Sequence, residues 1–200
     1  TDIKKHKVKV DRLVNKLPDL ESQLDGDVDE WLMEHDLESG NWDEALGTLG
    51  RGNHFVELQL IKSVEEKDEF EKFNLSKNRL FLLVHSGSRG LGESILRGYV
   101  DKHKNNGVEE SSESAKKYLK QHDYAVRWAS LNRKLLAYRF INSIGAKIEP
   151  VLDLPHNLIR NITIDNCSGW LHRKGAAPSD SDSKLVVIAG SRGSFSYLVA

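Results

Sequence analysis

The sequence predicts an α+β fold in a single domain, with mixed β-sheets and surrounding helices, and three observations support this prediction. The chain has 200 residues, of which 38% are hydrophobic and 30% charged, as is typical of one globular domain. Short apolar runs that indicate strands alternate with longer helical patterns. Glycine-rich segments adjoin several of these runs, which places functional loops at the ends of strands.

The first quarter of the chain is predicted to be helical before the first strand begins. Apolar residues at helical spacing predict a helix over residues 2–24, with an interruption at Pro18. A second, short helix is predicted over Asp29–His35. The segment Gly47–His54 is a glycine-rich loop, and the alternation in Phe55–Ile61 then predicts a half-buried strand.

The middle of the chain contains the longest predicted helix. The charged segment Ser63–Asn78 is predicted to be a solvated loop or hairpin, and the apolar run Arg79–Ser86 a buried strand. A helix is predicted over Ser94–His103, followed by an exposed loop over Lys104–Ser114. The broad apolar face from Ala115 to Ile144 then predicts a long helix.

Three further strands are predicted in the last quarter of the chain. They cover Ile148–Leu152, residues 162–166 and the buried run Lys184–Gly190. The last of them leads into a glycine turn, and the chain ends in the apolar, strand-like residues YLVA. The chain also begins with threonine rather than methionine, so we expect both ends to be cut from a longer protein.

Charge and composition narrow the classes of function and location. The net charge is −1 and the isoelectric point about 6.7, so nucleic-acid binding would need a local basic surface. The single cysteine, Cys167, allows no intrachain disulfide and fits a reducing compartment. With no apolar stretch of about 18 residues and no signal-peptide pattern, we predict a cytoplasmic protein without a membrane partner.

The eight histidines fall into two sets by sequence context. His6, His35, His103 and His122 lie on predicted helices among charged residues, so we predict that they face solvent. His54, His85, His156 and His172 lie at predicted strand edges beside glycine, asparagine or basic residues. Imidazole is a common metal ligand when rigid elements fix it. The spacing of these histidines alone is equally compatible with a metal site and with structural histidines that are buried and hydrogen-bonded.

Three glycine turns and several basic residues indicate phosphate binding. The turns are GTLGRGN, SGSRGLG and AGSRGS, and glycine lets backbone N–H groups approach phosphate oxygens. None has the Rossmann or P-loop pattern, and each alone is equally compatible with a plain turn. The neighbouring basic residues form a local patch for a polyanion such as RNA, or are scattered surface charge: Arg51, Arg89, Arg160, Arg173, Lys174 and Arg192.

Taken together, these segments resemble the RtcB family of RNA ligases, in particular its branch coupled to a peptide-chain release factor. They follow the family's order over nearly the whole chain. The matching segments are Gly47–Gln59 (GTLGRGNHFVELQ), Val84–Leu96 (VHSGSRGLGESIL), Leu131–Phe140 (LNRKLLAYRF), Asp153–Leu158 (DLPHNL), Gly169–Asp180 (GWLHRKGAAPSD) and Val186–Val199 (VVIAGSRGSFSYLV).

The resemblance implies a GTP- and Mn²⁺-dependent ligase that joins an RNA 3′-phosphate or 2′,3′-cyclic phosphate to a 5′-hydroxyl. In this family GMP passes through a guanylated histidine, and the complete site holds two manganese ions. The implied partners are RNA and GTP, with a possible functional link to a release factor.

The same resemblance assigns roles to individual residues, as follows. Metal ligands are His54, His85 and His156; nucleotide contacts are Asn53, His54, Phe55, Val56, Glu57, His156, Asn157, Ala189, Gly190, Ser191, Arg192 and Ser196; RNA or phosphate contacts are Arg89, His172, Arg173 and Lys174.

The chain also departs from the family pattern. The family's Asp-x-x-Cys metal segment is expected upstream of residue 1, and the His-Gly-Ala-Gly-Arg segment with the guanylated histidine downstream of residue 200. Residues 1–200 are therefore predicted to be the central portion of a ligase domain, inactive by itself. Arg192 stands where methionine is usual in the family, and Ala189 where proline is usual.

Three other interpretations stay open from the sequence. One is a degenerate, non-catalytic protein that binds RNA or nucleotide. Another is a metal-dependent phosphoesterase, for which Asp153 and Glu57 are the nearby carboxylate candidates. The third is an interaction domain whose histidines are merely buried.

Overall fold

The computed structural model describes Trp42 and residues 45–104, 106–177, 185–191 and 193–200. The predicted helices over residues 2–24 and Asp29–His35 lie outside the described residues. Within them the elements, in chain order, are β1 (Phe55–Leu60), α1 (Lys67–Lys72), β2 (Leu80–His85), α2 (Gly90–His103), α3 (Glu113–Ile144), β3 (Asn157–Ile164), β4 (Cys167–Lys174), β5 (Val186–Ile188) and β6 (Tyr197–Val199). Helices and sheets together confirm the predicted α+β class.

Helix α3 supplies much of the hydrophobic core. It has 32 residues, as the long apolar periodicity predicted, and Ser112 caps its start by accepting a hydrogen bond from the Ala115 amide. Gly145 ends it in the left-handed conformation, with φ of 65°. Its inner face buries Trp128 and Leu135 almost completely, so the helix is a rigid support for the loops packed on it.

In the described residues the strands form three two-stranded antiparallel sheets. Strand β1 pairs with β2 so that Phe55, its first residue, lies opposite His85, the last residue of β2. Strands β3 and β4 form a hairpin whose turn residues, Asp165 and Asn166, both have positive φ. That conformation suits the right-handed twist of a two-residue hairpin turn. Strands β5 and β6 form the third pair.

Several predicted boundaries are wrong. The segment Ser63–Asn78 contains the short helix α1, and α2 begins at Gly90 rather than Ser94. The predicted strand Ile148–Leu152 is irregular, because Pro150 within it lacks an N–H for strand pairing.

The β3–β4 hairpin was only partly predicted. Residues 162–166 cover the end of β3 and its turn, and the strand begins earlier, at Asn157. Strand β4 was not predicted at all, because nearly all of its residues are exposed and no apolar alternation marks it. The predicted strand Lys184–Gly190 is found over Val186–Ile188, with Lys184 outside the described residues. The prediction that this strand and β2 are buried is wrong, because their residues are half-buried or exposed. No helix in the described segments combines the length and apolar character needed to cross a bilayer.

Candidate metal and phosphate site

The β1–β2 and β3–β4 pairs bring three histidines together. His54 directly precedes β1, His85 ends β2, and His156 directly precedes β3. The ring centroids of His54 and His85 are 5.8 Å apart, and those of His85 and His156 are 5.4 Å apart. The structure therefore groups the three residues that the resemblance assigned to metal, with His85 in contact with both others.

The surroundings of His54 and His85 favour neutral imidazoles. Burial lowers the pKa of His54, and the neighbouring Arg89 and His156 lower it further. Burial and its two histidine neighbours also lower the pKa of His85 below 6.5, although a backbone hydrogen bond at Asn53 raises it. Both rings are thus kept in the form whose nitrogen lone pair can bind a metal.

The two measured ring separations are compatible with histidines that share one ion. Imidazoles bound at about 2.1 Å and a tetrahedral angle have ring centroids roughly 5.3 Å apart, close to the separations in this cluster. Within the described residues, no three His, Cys, Asp or Glu side chains already have an arrangement that could hold a metal. The donor set nevertheless fits a first-row metal by its chemistry.

Arg89 adds a positive charge beside the histidines. Its guanidinium donates to Thr48 Oγ1 at 3.4 Å, and burial lowers its pKa. A Cβ built on Gly50 would overlap Arg89 Nη1 and lie 2.5 Å from His54 Nδ1, so both side chains press on the Gly50 backbone. Arg89 itself has φ of 58°, a strained conformation of the kind found at ligand sites. The arrangement suits an anion beside the cluster.

Asn132 of α3 forms hydrogen bonds with both histidine-bearing loops, and no pattern in the sequence singles it out. Its side chain is fully buried, at 0% exposure. Oδ1 accepts from the Thr48 amide at 3.2 Å, and Nδ2 lies 3.3 Å from Thr48 O, 3.1 Å from Ser86 Oγ and 3.2 Å from Gly87 O. The Ser86 hydroxyl in turn donates to Leu49 O at 2.9 Å.

The next residue of α3, Arg133, engages the carboxylate that the phosphoesterase interpretation required. Arg133 forms an ion pair with Asp153, whose other oxygen accepts a hydrogen bond from Ser130 Oγ. The Arg133 guanidinium also donates to Ser86 O at 3.2 Å. Asp153 therefore orients Arg133 against the loop after His85, and both of its oxygens are already hydrogen-bonded.

Glu57 connects β1 with the last glycine loop. Its Oε1 accepts from the Gly193 amide at 3.1 Å, and its Oε2 from Gln59 Nε2 at 3.4 Å. Gln59 also reaches Ser196 Oγ, which accepts from the Gly190 amide at 3.1 Å. The predicted nucleotide contacts on β1 and in the loop are thus brought together.

The remaining predicted nucleotide contacts are placed as follows. Phe55 is buried with its ring edge-on to His85 (centroids 5.4 Å apart), Val56 is half-buried, Asn53 and Ala189 are exposed, Ser191 donates to Ser194 Oγ, and Arg192 lies outside the described residues.

The hairpin separates the predicted RNA contacts between two faces. Lys174 pairs with Asn157, and His172 pairs with Ile159, so these four share one face. Arg173, opposite the buried Leu158, belongs to the other face.

The Asn157 side chain fixes the end of this hairpin. Its Oδ1 accepts from the Gly175 amide at 2.7 Å, and the neighbouring Ala176 amide donates to His156 O at 3.0 Å. These bonds join the segment after β4 to the third histidine of the cluster.

The prediction that His122 faces solvent is wrong. Its side chain is only 15% exposed, and Nε2 accepts from the Ile159 amide at 3.1 Å, which connects α3 to β3. His103 is half-buried with its ring 4.9 Å from that of Tyr99. His6 and His35 lie outside the described residues.

Clustered imidazoles, the half-buried Arg89 and glycine-rich loops together make a site that could accept a metal ion and an anion. The family model described as tRNA-splicing ligase RtcB matches residues 4–200, and the chain belongs to the RtcB family.

Curated relatives agree with this family assignment. The chain is 42% identical over 203 residues to the RNA-splicing ligase RtcB2 of Escherichia coli, an alignment that covers 100% of this chain and 52% of that protein. It is 32% identical to the tRNA-splicing ligase RtcB of Nanoarchaeum equitans, over 78% of this chain and 40% of the relative. The chain thus spans about half the length of the E. coli relative, and the alignment covers 40% of the N. equitans relative.

Proposed function

We propose that the protein containing this chain joins RNA ends bearing a 3′-phosphate or 2′,3′-cyclic phosphate to 5′-hydroxyl ends, with GTP and Mn²⁺. The observation that carries the proposal is the cluster of His54, His85 and His156, with Arg89 beside it. The printed names of the relatives, RNA- and tRNA-splicing ligases, support the same reaction class. A link to a release factor and a cytoplasmic location stay predictions.

In this proposal the three histidines would hold manganese through neutral ring nitrogens. When bound, the metal offsets negative charge on the reacting phosphates. Arg89 would pair with a phosphate oxygen, because a guanidinium matches its geometry and charge. We assign nucleotide contacts to Glu57 and the loop at residues 190–196, with the histidine that carries GMP expected outside these 200 residues.

The proposal is tested with the natural gene product that contains these residues. It is incubated with Mn²⁺, labelled GTP and an RNA pair with 3′-phosphate and 5′-hydroxyl ends. The wild type is expected to retain labelled GMP through a denaturing gel and to join the RNA. His85→Gln should lose both activities, because it removes the imidazole in contact with the other two.

A matched variant, His103→Gln, makes the same substitution at a histidine that stacks on Tyr99 in α2. It should ligate like the wild type. RNA binding without retained GMP in the wild type would favour the non-catalytic alternative. Equal ligation by the two variants would refute the role of the histidine cluster.

A further inference from the structure

We propose that Asn132 is a positioning residue that sets the separation between the two loops carrying His54 and His85. This inference rests on the proposed function of that cluster as a metal site. The residue belongs to α3, is fully buried, and forms its hydrogen bonds with Thr48, Ser86 and Gly87 of the two loops. Its role is therefore exerted through the loops rather than by contact with a ligand.

The hydrogen-bond chemistry fixes the orientation of the Asn132 amide. The Thr48 N–H can only donate, so the atom facing it at 3.2 Å must be Oδ1. The NH₂ group then faces Thr48 O, Gly87 O and the Ser86 hydroxyl. Two N–H hydrogens serve three acceptors, so one of these bonds is shared, and no other residue type supplies this acceptor and these donors with the same shape.

The two loops bonded to Asn132 differ in how close they lie, along the chain, to the paired strands β1 and β2. Gly87 is only two residues after His85, whereas Thr48 lies six residues before His54 in the glycine-rich segment 47–54. The β1–β2 pairing begins at Phe55 and His85, so it gives no direct constraint on Thr48. One amide joins both segments, and the Ser86 hydroxyl extends the connection to Leu49 O.

Asn132 bonds to the loops that carry the histidines and not to the histidine rings, so it acts one step further out than groups that hydrogen-bond metal ligands directly. Replacing such direct partners typically lowers metal affinity by about 10- to 100-fold. We expect Asn132→Ala to weaken Mn²⁺ binding by about 10-fold, at the lower end of that range, measured by electron paramagnetic resonance at a temperature where circular dichroism shows the variant folded.

A matched control separates positioning from general destabilisation. Ile141→Ala removes another buried side chain of the same helix, 6% exposed, and should lower the melting temperature while leaving Mn²⁺ affinity at the wild-type value. Normal affinity in folded Asn132→Ala would overturn the proposal. If that variant does not fold, Ser86→Ala decides by the same criterion, since it removes the two bonds of the Ser86 hydroxyl but leaves the Asn132 bonds to Thr48 and Gly87 in place, and its affinity loss should be smaller.

The experiment also distinguishes this inference from the proposed function. If the wild type binds no Mn²⁺, the metal site fails, and the positioning role is judged from the histidine ring signals of ¹³C-labelled protein at constant pH. The signals of His54 and His85 should then move in Asn132→Ala and stay unchanged in Ile141→Ala. Unmoved signals in both variants would refute the positioning role as well.

Discussion

Gly50 occupies a position where a single methyl group would disturb both Arg89 and His54. Its φ of 101° is one that residues with a Cβ rarely adopt, and the added Cβ would overlap Arg89 Nη1. Backbone strain of this kind costs roughly 1–3 kcal/mol, and forcing a packed side chain aside costs a further 1–3 kcal/mol or so. We therefore expect Gly50→Ala to lower the free energy of unfolding by about 2–6 kcal/mol.

Gly52 offers a matched control within the same loop. It also has positive φ, of 78°, but nothing lies within 4 Å of the position of its Cβ. Gly52→Ala should thus incur the backbone cost alone and be less destabilising than Gly50→Ala by roughly 1–3 kcal/mol. Urea unfolding measures both variants, and equal slopes against denaturant would show that the free energies are comparable.

The same pair tests whether the loop positions the site. Only Gly50→Ala should also reduce RNA joining, because only there does the methyl group displace Arg89 and His54. In an Arg89→Ala background the stability difference between the two variants should shrink, since the overlapping atom is gone. Equal losses of stability at both glycines would refute the argument from the Arg89 contact.

Three further predictions follow from the described contacts. The pKa values of His54 and His85 are lowered in the folded protein, so the unfolded chain binds more protons below about pH 6.5, and the free energy of unfolding should fall as the pH drops through this range. Urea unfolding at several pH values should show that this free energy depends less on pH in the double variant with His54→Gln and His85→Gln. Glu57→Ala removes the acceptor of the Gly193 amide and should speed hydrogen exchange at that amide, measured by mass spectrometry, with unchanged exchange contradicting the contact. Lys174→Ala should weaken RNA binding and reduce its salt dependence by about one charge, as read from filter binding at several salt concentrations, and an unchanged slope would place RNA elsewhere.

The parts of the fold that the sequence could predict are those where burial imposes a period. Helix α3 buries one face, β1 buries Phe55 at its start, and β2 is a run of half-buried apolar residues after the exposed Leu80, so hydrophobic spacing marks all three. Strand β4 buries little, and its pairing with β3 arises from the hairpin turn at Asp165 and Asn166. A period-based analysis has no signal for such a strand.

Some residues of the site are marked by their local sequence, and others take their place only through tertiary packing. His54 and His85 could be proposed because each adjoins a strand and a glycine turn, which are features of the local sequence. Asn132 could not, because Arg133 and Lys134 follow it, and a polar residue in such a run normally belongs to the solvent face. Its burial depends on the glycine loops that pack over α3, which are remote in sequence.

Two polar residues of α3, Asn132 and Arg139, constrain the loop that precedes His54. A two-stranded ribbon is marginally stable by itself and weakest at its ends, which is where His54 and His85 lie. Asn132 and Arg139 are two helical turns apart on α3, and Arg139 Nη1 donates to Gly47 O at 2.5 Å. The helix therefore holds the loop before His54 at two points. Since α3 is anchored in the core through Trp128 and Leu135, the core constrains the loop before His54, in addition to the pairing of β1 with β2 that fixes His85 opposite Phe55.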